Sequence, residues 1–216
     1  MNHSRRIALG LVGVGVIAGA IALNPFSAPV TAVAAPERLE AGPMSYQLDP
    51  VHSSVIFRVT HMGASHFYGR FHTGPDEGGE AGISGSFSLG DTASIDVTLK
   101  ADHVDTGNPK RDAHVKSPDF FSAKEFPEIK AVGSDLKKAG DGSWKGTVDL
   151  TFRGVTKKVD ITLNQTGSGK GMDGKTQLAG VETTFTIKRS EYGSKGLIPA
   201  VSDDVMLIVA LEGGAK

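Results

Sequence analysis

The sequence predicts an all-β protein, about eight to ten short antiparallel strands folded around an apolar interior, with one short helical insertion. Three observations predict it. Apolar residues recur in steps of two along Val55, Phe57 and Val59 and again along Ile95, Val97 and Leu99, the period at which strand side chains leave opposite faces. Twenty-eight glycines and an aromatic content of 6% suit many short strands joined by tight turns. Most stretches between the alternating segments are too short for a crossover helix, so the pairing is antiparallel. Periodicity does not distinguish a closed barrel from a sandwich, because both bury one face of each strand.

The leading residues stand apart from this pattern. Arg5 and Arg6, an apolar run from Ile7 to Leu23 and the small residues Ala32-Val33-Ala34 form an export signal over residues 1–34, cut after Ala34. Ser4-Arg5-Arg6-Ile7-Ala8-Leu9 also partly resembles a twin-arginine signal, which leaves the export route open. The run is broken by Gly10, Gly13, Gly15 and Gly19, so no stable membrane insertion is expected after cleavage, and the expected location is periplasmic or secreted. Residues 35–45, with Pro36 and Pro43, read as a linker, and residues 46–213 as the barrel domain. Loss of Arg5 and Arg6 leaves 21 bases against 24 acids, a net charge of −3, which argues against nucleic acid as a partner. The chain has no cysteine, so neither a disulfide nor a lipid-modified thiol holds it.

Along the domain, Tyr46 to Leu48 is a short strand entering Asp49-Pro50. Val55, Phe57 and Val59 alternate with Arg58 and Thr60 up to His61, which falls on the apolar face. After a turn at Met62 to Ser65, Phe67, Gly69 and Phe71 share one face, and His66, Tyr68, Arg70 and His72 the other, wet one. Gly74 to Gly82 is loop, Ile83 to Leu89 carries Phe87, and Ile95, Val97 and Leu99 form the next strand. Asn108-Pro109 is an N-cap followed by proline at the first helical position, so Lys110 to Lys116 is a short helix stopped by Ser117-Pro118. Phe120, Phe121 and Phe126 follow with no strand to carry them and are expected to cover one mouth of the barrel. Strands resume over Glu128 to Leu136 and Trp144 to Arg153, the second with Val148, Leu150 and Phe152 in phase. Lys157 to Asn164 repeats the alternation, and Gly167 to Lys175 is a flexible tip. Thr176 to Arg189 turns Val181, Thr183, Phe185 and Ile187 inward, with Arg189 closing that series. The near-continuous apolar run Val205 to Leu211 reads as a strand covered on both faces.

Chemistry-bearing constellations are sparse. His61, His66, His72, His103 and His114 show no compact ligand spacing, so no metal site is expected. There is no nucleophile elbow and no phosphate loop, and Asp203-Asp204 point to opposite faces if in a strand. The polar residues in phase with apolar faces are His61 and Arg189. A guanidinium on an apolar face is costly unless paired, so Arg189 meets either a ligand head group or an acid, with Asp49, Asp102, Asp105 and Glu191 as candidates.

Four spaced blocks carry a family resemblance: Tyr46-x-x-Asp49-x-x-His52-Ser53 with Phe57-x-Val59-x-His61; Asp105-Thr106 through His114-Val115-Lys116-Ser117-x-Asp119-Phe120-Phe121 with Phe126-Pro127; Thr151 to Lys157; and Arg189-x-x-Tyr192-Gly193. Together they resemble the YceI-like domain of bacterial polyisoprenoid-binding proteins. The resemblance implies an extended lipocalin-like antiparallel barrel of about eight strands with a helical insertion, its lumen holding a long isoprenoid or other lipid tail. It also implies that Met62-Gly63-Ala64-Ser65, where this sequence departs, lies at the entrance.

The expectations for the site follow. Val55, Phe57, Val59, Phe71, Phe87, Val97, Leu99, Phe152, Phe185 and Ile187 line the tail; His61 and Arg189 meet the polar end; Phe120, Phe121 and Phe126 cover a mouth. No cofactor or catalytic residue is expected beyond the bound lipid, an isoprenoid quinone or similar molecule, and a homodimer is compatible with the sequence. Two rivals stand beside the carrier: an enzyme using His61, Arg189 and an acid on an isoprenoid-like substrate, and a ligand-free structural or stress protein whose lumen is packed shut.

Overall fold

The computed structural model describes residues 44–216. The expected export signal, 1–34, and residues 35–43 of the expected linker lie outside the described residues. The linker's last two residues, Met44 and Ser45, already belong to the first strand.

Eleven strands and one α-helix follow in chain order: β1 (Met44–Leu48), β2 (Ser54–His61), β3 (Ser65–Phe71), β4 (Ile83–Leu89), β5 (Thr92–Lys100), β6 (Val104–Asp105), α1 (Pro109–Val115), β7 (Glu128–Gly140), β8 (Ser143–Phe152), β9 (Val155–Lys170), β10 (Gln177–Lys188) and β11 (Asp204–Ala215). Strands β1, β4, β5, β7, β8, β9, β10 and β11 pair in that order, and the ring closes because β11 returns to β1. The result is an eight-stranded antiparallel barrel.

Closure rests on the length of β11. Its first half pairs with β2 from Met206↔Arg58 to Ala210↔Ser54, and its last residues pair with β1 from Gly213↔Leu48 to Ala215↔Tyr46. Strands β2, β3 and the two-residue β6 therefore continue the wall from β11 at the end where β1 is absent. At the β1 end the barrel is plugged. Tyr46 and Phe87 stack 5.1 Å apart with ring planes 19° from parallel, and a Cβ at Gly213 would lie 2.9 Å from both side chains. Leu136 and Leu163 complete this packed end, and the Trp144 indole donates to the Gly90 carbonyl at 2.8 Å.

The alternation read from the sequence survives in the wall: Val55, Phe57, Ile95, Val97, Leu99, Val181 and Leu211 are buried while their neighbours along each strand are more exposed. Helix α1 begins at Pro109, the expected first helical position, and ends at Val115, one residue before the expected Lys116; the Asn108 side chain accepts from the backbone N–H groups of Lys110 and Arg111 at 3.1 Å each. Two expectations are corrected. The apolar run of β11 is not covered on both faces: Val205, Leu207, Val209 and Leu211 line the cavity, while Met206 and Ile208 face outward and are half-buried beside Arg58 and Ile56 across the pair. The tip expected from Gly167 is shorter, because β9 runs on to Lys170, paired with Gln177.

Candidate ligand-binding cavity

Between the packed end and the opposite mouth the barrel keeps a cavity of about 430 Å³, within the range of small-molecule sites. Val55, Phe57, Val59, Phe71, Val97, Leu99, Phe152, Phe185 and Ile187 all line it. Phe57 is held in place from behind: it faces Gly69 across the β2–β3 pair, and a Cβ there would sit 2.2 Å from the tip of its ring. Phe87 is the exception among the expected tail residues. It is 1% exposed and spent on Tyr46 at the plugged end, because the period-two rule selects a face of a strand and not a position along the barrel axis.

The three phenylalanines of the insertion do different work. Phe121 enters the lumen, stacking on Phe71 (5.8 Å, 17°) and meeting Phe152 edge-on (5.3 Å, 83°), so it joins β3 to the distant β8. Phe120 lines the cavity near the mouth, with the Arg189 guanidinium 5.3 Å from its ring centre. Phe126 does not cover the mouth. It packs under the β8–β9 turn, where a Cβ on Gly154 would come within 2.7 Å of its ring. The Arg153 guanidinium pins the same segment by donating to the Pro118 and Phe120 carbonyls, both at 2.8 Å.

Arg189 is a further correction. Strand β10 ends at Lys188, and Arg189 opens a short 3₁₀ turn to Tyr192. Its side chain touches the cavity wall but is 4% exposed, and it donates to four carbonyls: Ser202 (2.9 Å), Ser194 (3.1 Å), Gly196 (2.8 Å) and Val201 (2.9 Å). Burial pushes its pKa down and nearby Asp203 opposes that shift. Asp49 pairs with His52, Asp105 with Arg70 and Glu191 with Lys157, and Arg189 makes no salt bridge with any of the four expected acids. Its fork is thus filled by the backbone of the 194–202 loop. Asp203 lies just before β11, so the opposite-face expectation for a strand pair does not apply: Asp203 accepts from the Ser190 N–H (2.8 Å) and hydroxyl (2.7 Å), and Asp204 pairs with Lys188 at 2.7 Å.

His61 lies at the exposed rim, bridged to Val201. The cation that does face the lumen is Arg111 of α1. Its guanidinium lies 4.4 Å over the Phe67 ring and donates to the Thr106 hydroxyl (2.9 Å) and carbonyl (2.6 Å), with no carboxylate within 4.0 Å among the described residues. The signal for it was present: Arg111 and His114, three apart on α1, share one face, and both line the mouth. His114 contacts Asp119 at 3.1 Å and presents its ring edge to Phe120. Deeper in the wall the Thr183 hydroxyl is buried without a partner among the described residues.

Away from the cavity, where β1 and β2 part along β11, Asp49, His52 and Glu212 bring ligand-type atoms within 4.8 Å of one another. Glu212 is remote in sequence, so no spacing motif could announce this grouping. Asp49 accepts from the His52 ring at 2.7 Å and Glu212 lies 3.9 Å from it, an arrangement that staples the β1–β2 turn to β11 as an ion pair. The Asp49 hydrogen bond holds the His52 pKa above its ordinary value.

A closed antiparallel barrel plugged at one end, with an apolar cavity and a polar rim at the other, defines the class as the cavity-bearing β-barrels. Within that class the YceI-like domain matches residues 46–213, and the chain belongs to the YceI-like family. A UPF0312 protein of Photorhabdus laumondii is 30% identical over 205 residues, covering 92% of this chain and 94% of the relative. The Campylobacter jejuni YceI protein structure superposes with a TM-score of 0.61 at 29% identity, covering 79% of this chain and 98% of that one. A polyisoprenoid binding domain from Saccharophagus degradans shares the fold (TM-score 0.60, 16% identity, 80% of this chain and 99% of that one).

Proposed function

We propose that this chain is an exported carrier that holds a long isoprenoid or other lipid tail in the barrel lumen, an isoprenoid quinone or a similar molecule. The observation that carries the reading is the cavity: its wall is built from Val, Leu, Ile and Phe side chains of β2, β3, β5 and β7 to β11, and its arginines and histidines lie toward one mouth. Burying each methylene is worth ~0.8 kcal/mol, so roughly ten in the lumen give ~8 kcal/mol gross before association and ordering costs. An apolar wall alone therefore supplies usable affinity. The Saccharophagus degradans neighbour, a polyisoprenoid binding domain, and the shared YceI-like family support the same ligand class. The polar end of the ligand sits at Arg111, His61 and His114, since the donors of Arg189 go to backbone carbonyls. That use of Arg189 also disfavours the enzymatic reading built on it.

Mass spectrometry of organic extracts from protein purified out of its own host tests this. A stoichiometric prenyl or other long-chain lipid, returned intact, is the expected result. Protein that is repeatedly empty and takes up no isoprenoid quinone overturns it, and a chemically altered prenyl compound would favour catalysis instead.

A further inference from the structure

The mouth has features that tail binding does not require. Met62 is 66% exposed, Leu197 56% and Ile198 39%, three of the eight exposed large apolar residues among the described ones. They sit on the β2–β3 turn and the 194–202 loop. These two segments are tied together: the Met62 N–H donates to the Ala200 carbonyl (2.6 Å), the Thr60 N–H to the Ser202 hydroxyl (2.9 Å) and the Ser202 N–H to the Thr60 carbonyl (2.9 Å). Met62 and Leu197 both hold φ in the left-handed region, at 53° and 56°, a conformation that costs bulky residues energy and persists where surrounding bonds impose it. Two exposed apolar side chains on strained backbone are thus held outward at the mouth. Leu197 and Val201 also line the cavity, so the outer apolar surface continues into the wall.

Around these tips the charge is basic. The β2–β3 turn, the segment 109–119 and the 194–202 loop carry Lys110, Arg111, Lys116 and Lys195 against Asp112 and Asp119, on a chain whose net charge is −1. Asp112 is occupied by the Thr106 N–H and hydroxyl, Asp119 lies against His114, and none of the four cations has a carboxylate within 4.0 Å among the described residues. Along the barrel flank Lys130, Lys137, Lys157, Lys158 and Lys188 are each paired with an acid, while Lys138 and Lys145 are not among the described residues, so it is the grouping of four unpaired cations beside exposed apolar tips that sets the rim apart.

We infer that this rim is a docking surface for an anionic phospholipid bilayer, with Met62, Leu197 and Ile198 entering the interface and Lys110, Lys116 and Lys195 facing the head groups. The chemistry is that of interfacial binding: apolar side chains add affinity in proportion to the area they bury, and basic ones add attraction that salt screens. Docking mouth-down lets a lipid tail pass between bilayer and lumen without crossing water. The purpose of the surface rests on the carrier reading, but its existence is tested separately from the barrel's contents.

The cysteine-free chain allows a single labelled position. Residues 35–216, which contain every strand of the closed barrel and its core, are labelled with an NBD fluorophore at Met62→Cys and, as a control, at Met172→Cys on the β9–β10 tip at the opposite end. With vesicles of phosphatidylethanolamine and phosphatidylglycerol, the Met62→Cys label brightens and shifts blue while the Met172→Cys label does not. Met62→Ser with Ile198→Ser, two residues outside the cavity wall, weakens co-sedimentation about tenfold or more and leaves unchanged the binding of isoprenoid quinone supplied in detergent, where no bilayer is present. Lys116→Glu with Lys195→Glu weakens it on phosphatidylglycerol vesicles and not on pure phosphatidylcholine. Equal responses from both labels, or none from either, overturn the proposal. So does a Met62→Cys response that needs no vesicles and grows with protein concentration, which would assign the rim to a second copy of the chain. Docking by a barrel that proves empty of lipid sinks the carrier reading and leaves this surface standing.

Discussion

The Phe121 ring stacks on Phe71 at 5.8 Å while its edge meets Phe152 at 5.3 Å, so one side chain from the helical insertion ties together strands far apart around the barrel. Because Phe121 is half-buried and faces the cavity, Phe121→Ala removes less packing than a core Phe→Ala change: about 2 kcal/mol, against about 3–5 kcal/mol in a solid core. Urea unfolding measures the loss. The same variant enlarges the lumen, so extracted lipids shift toward bulkier tails.

Arg189 organises the 194–202 loop through four carbonyls. Arg189→Met leaves those acceptors without their donor and costs about 3 kcal/mol, and Arg189→Lys recovers little because an ammonium cannot reproduce the fork. On a chain this size that lowers Tm by roughly 6–12 °C in a thermal scan. A loss below about 1 kcal/mol would show that the loop holds itself.

Thr183 has the opposite sign. Its hydroxyl is buried without a partner among the described residues, so the nearly isosteric Thr183→Val raises stability by about 1 kcal/mol in urea unfolding. A drop in stability instead would mean that the hydroxyl is hydrogen-bonded in solution.

The Asp49–His52 pair makes stability depend on pH. His52 is raised, chiefly by its hydrogen bond to Asp49, so its contribution is present below the unfolded histidine value of about 6.5 and is lost as pH rises through the folded value. Asp49 is lowered: burial pushes it up, but the His52 ring and the backbone N–H groups of Val51 and His52 together outweigh that. Its contribution is present above about pH 4 and is lost as pH falls through the folded value. The Tm difference between wild type and His52→Ala is therefore widest near pH 5–6 and narrows by pH 8. A difference that does not vary with pH would refute the ion-pair staple.

Phe57 and Phe87 show how far the chain could be read. Both fall on the inward phase of a strand, yet one lines the cavity and the other plugs the end, because depth along the axis depends on strand tilt and on what caps each end. Arg189 was legible as a cation on an apolar face, but its partners are backbone carbonyls, which have no residue-type signature. Arg111 carried a readable i, i+3 relation to His114, and its meaning waited on α1 lying beside Phe67.

The sequence by itself determined the strands, the capped helix and the inward faces, since each follows from spacing and local backbone preference over a few residues. Tertiary structure alone decided that β11 serves β2 and then β1, that the ring therefore closes around a cavity, and which end stays open. Those outcomes depend on contacts between residues more than a hundred positions apart, where pairing register and side-chain volume act together and leave no local trace.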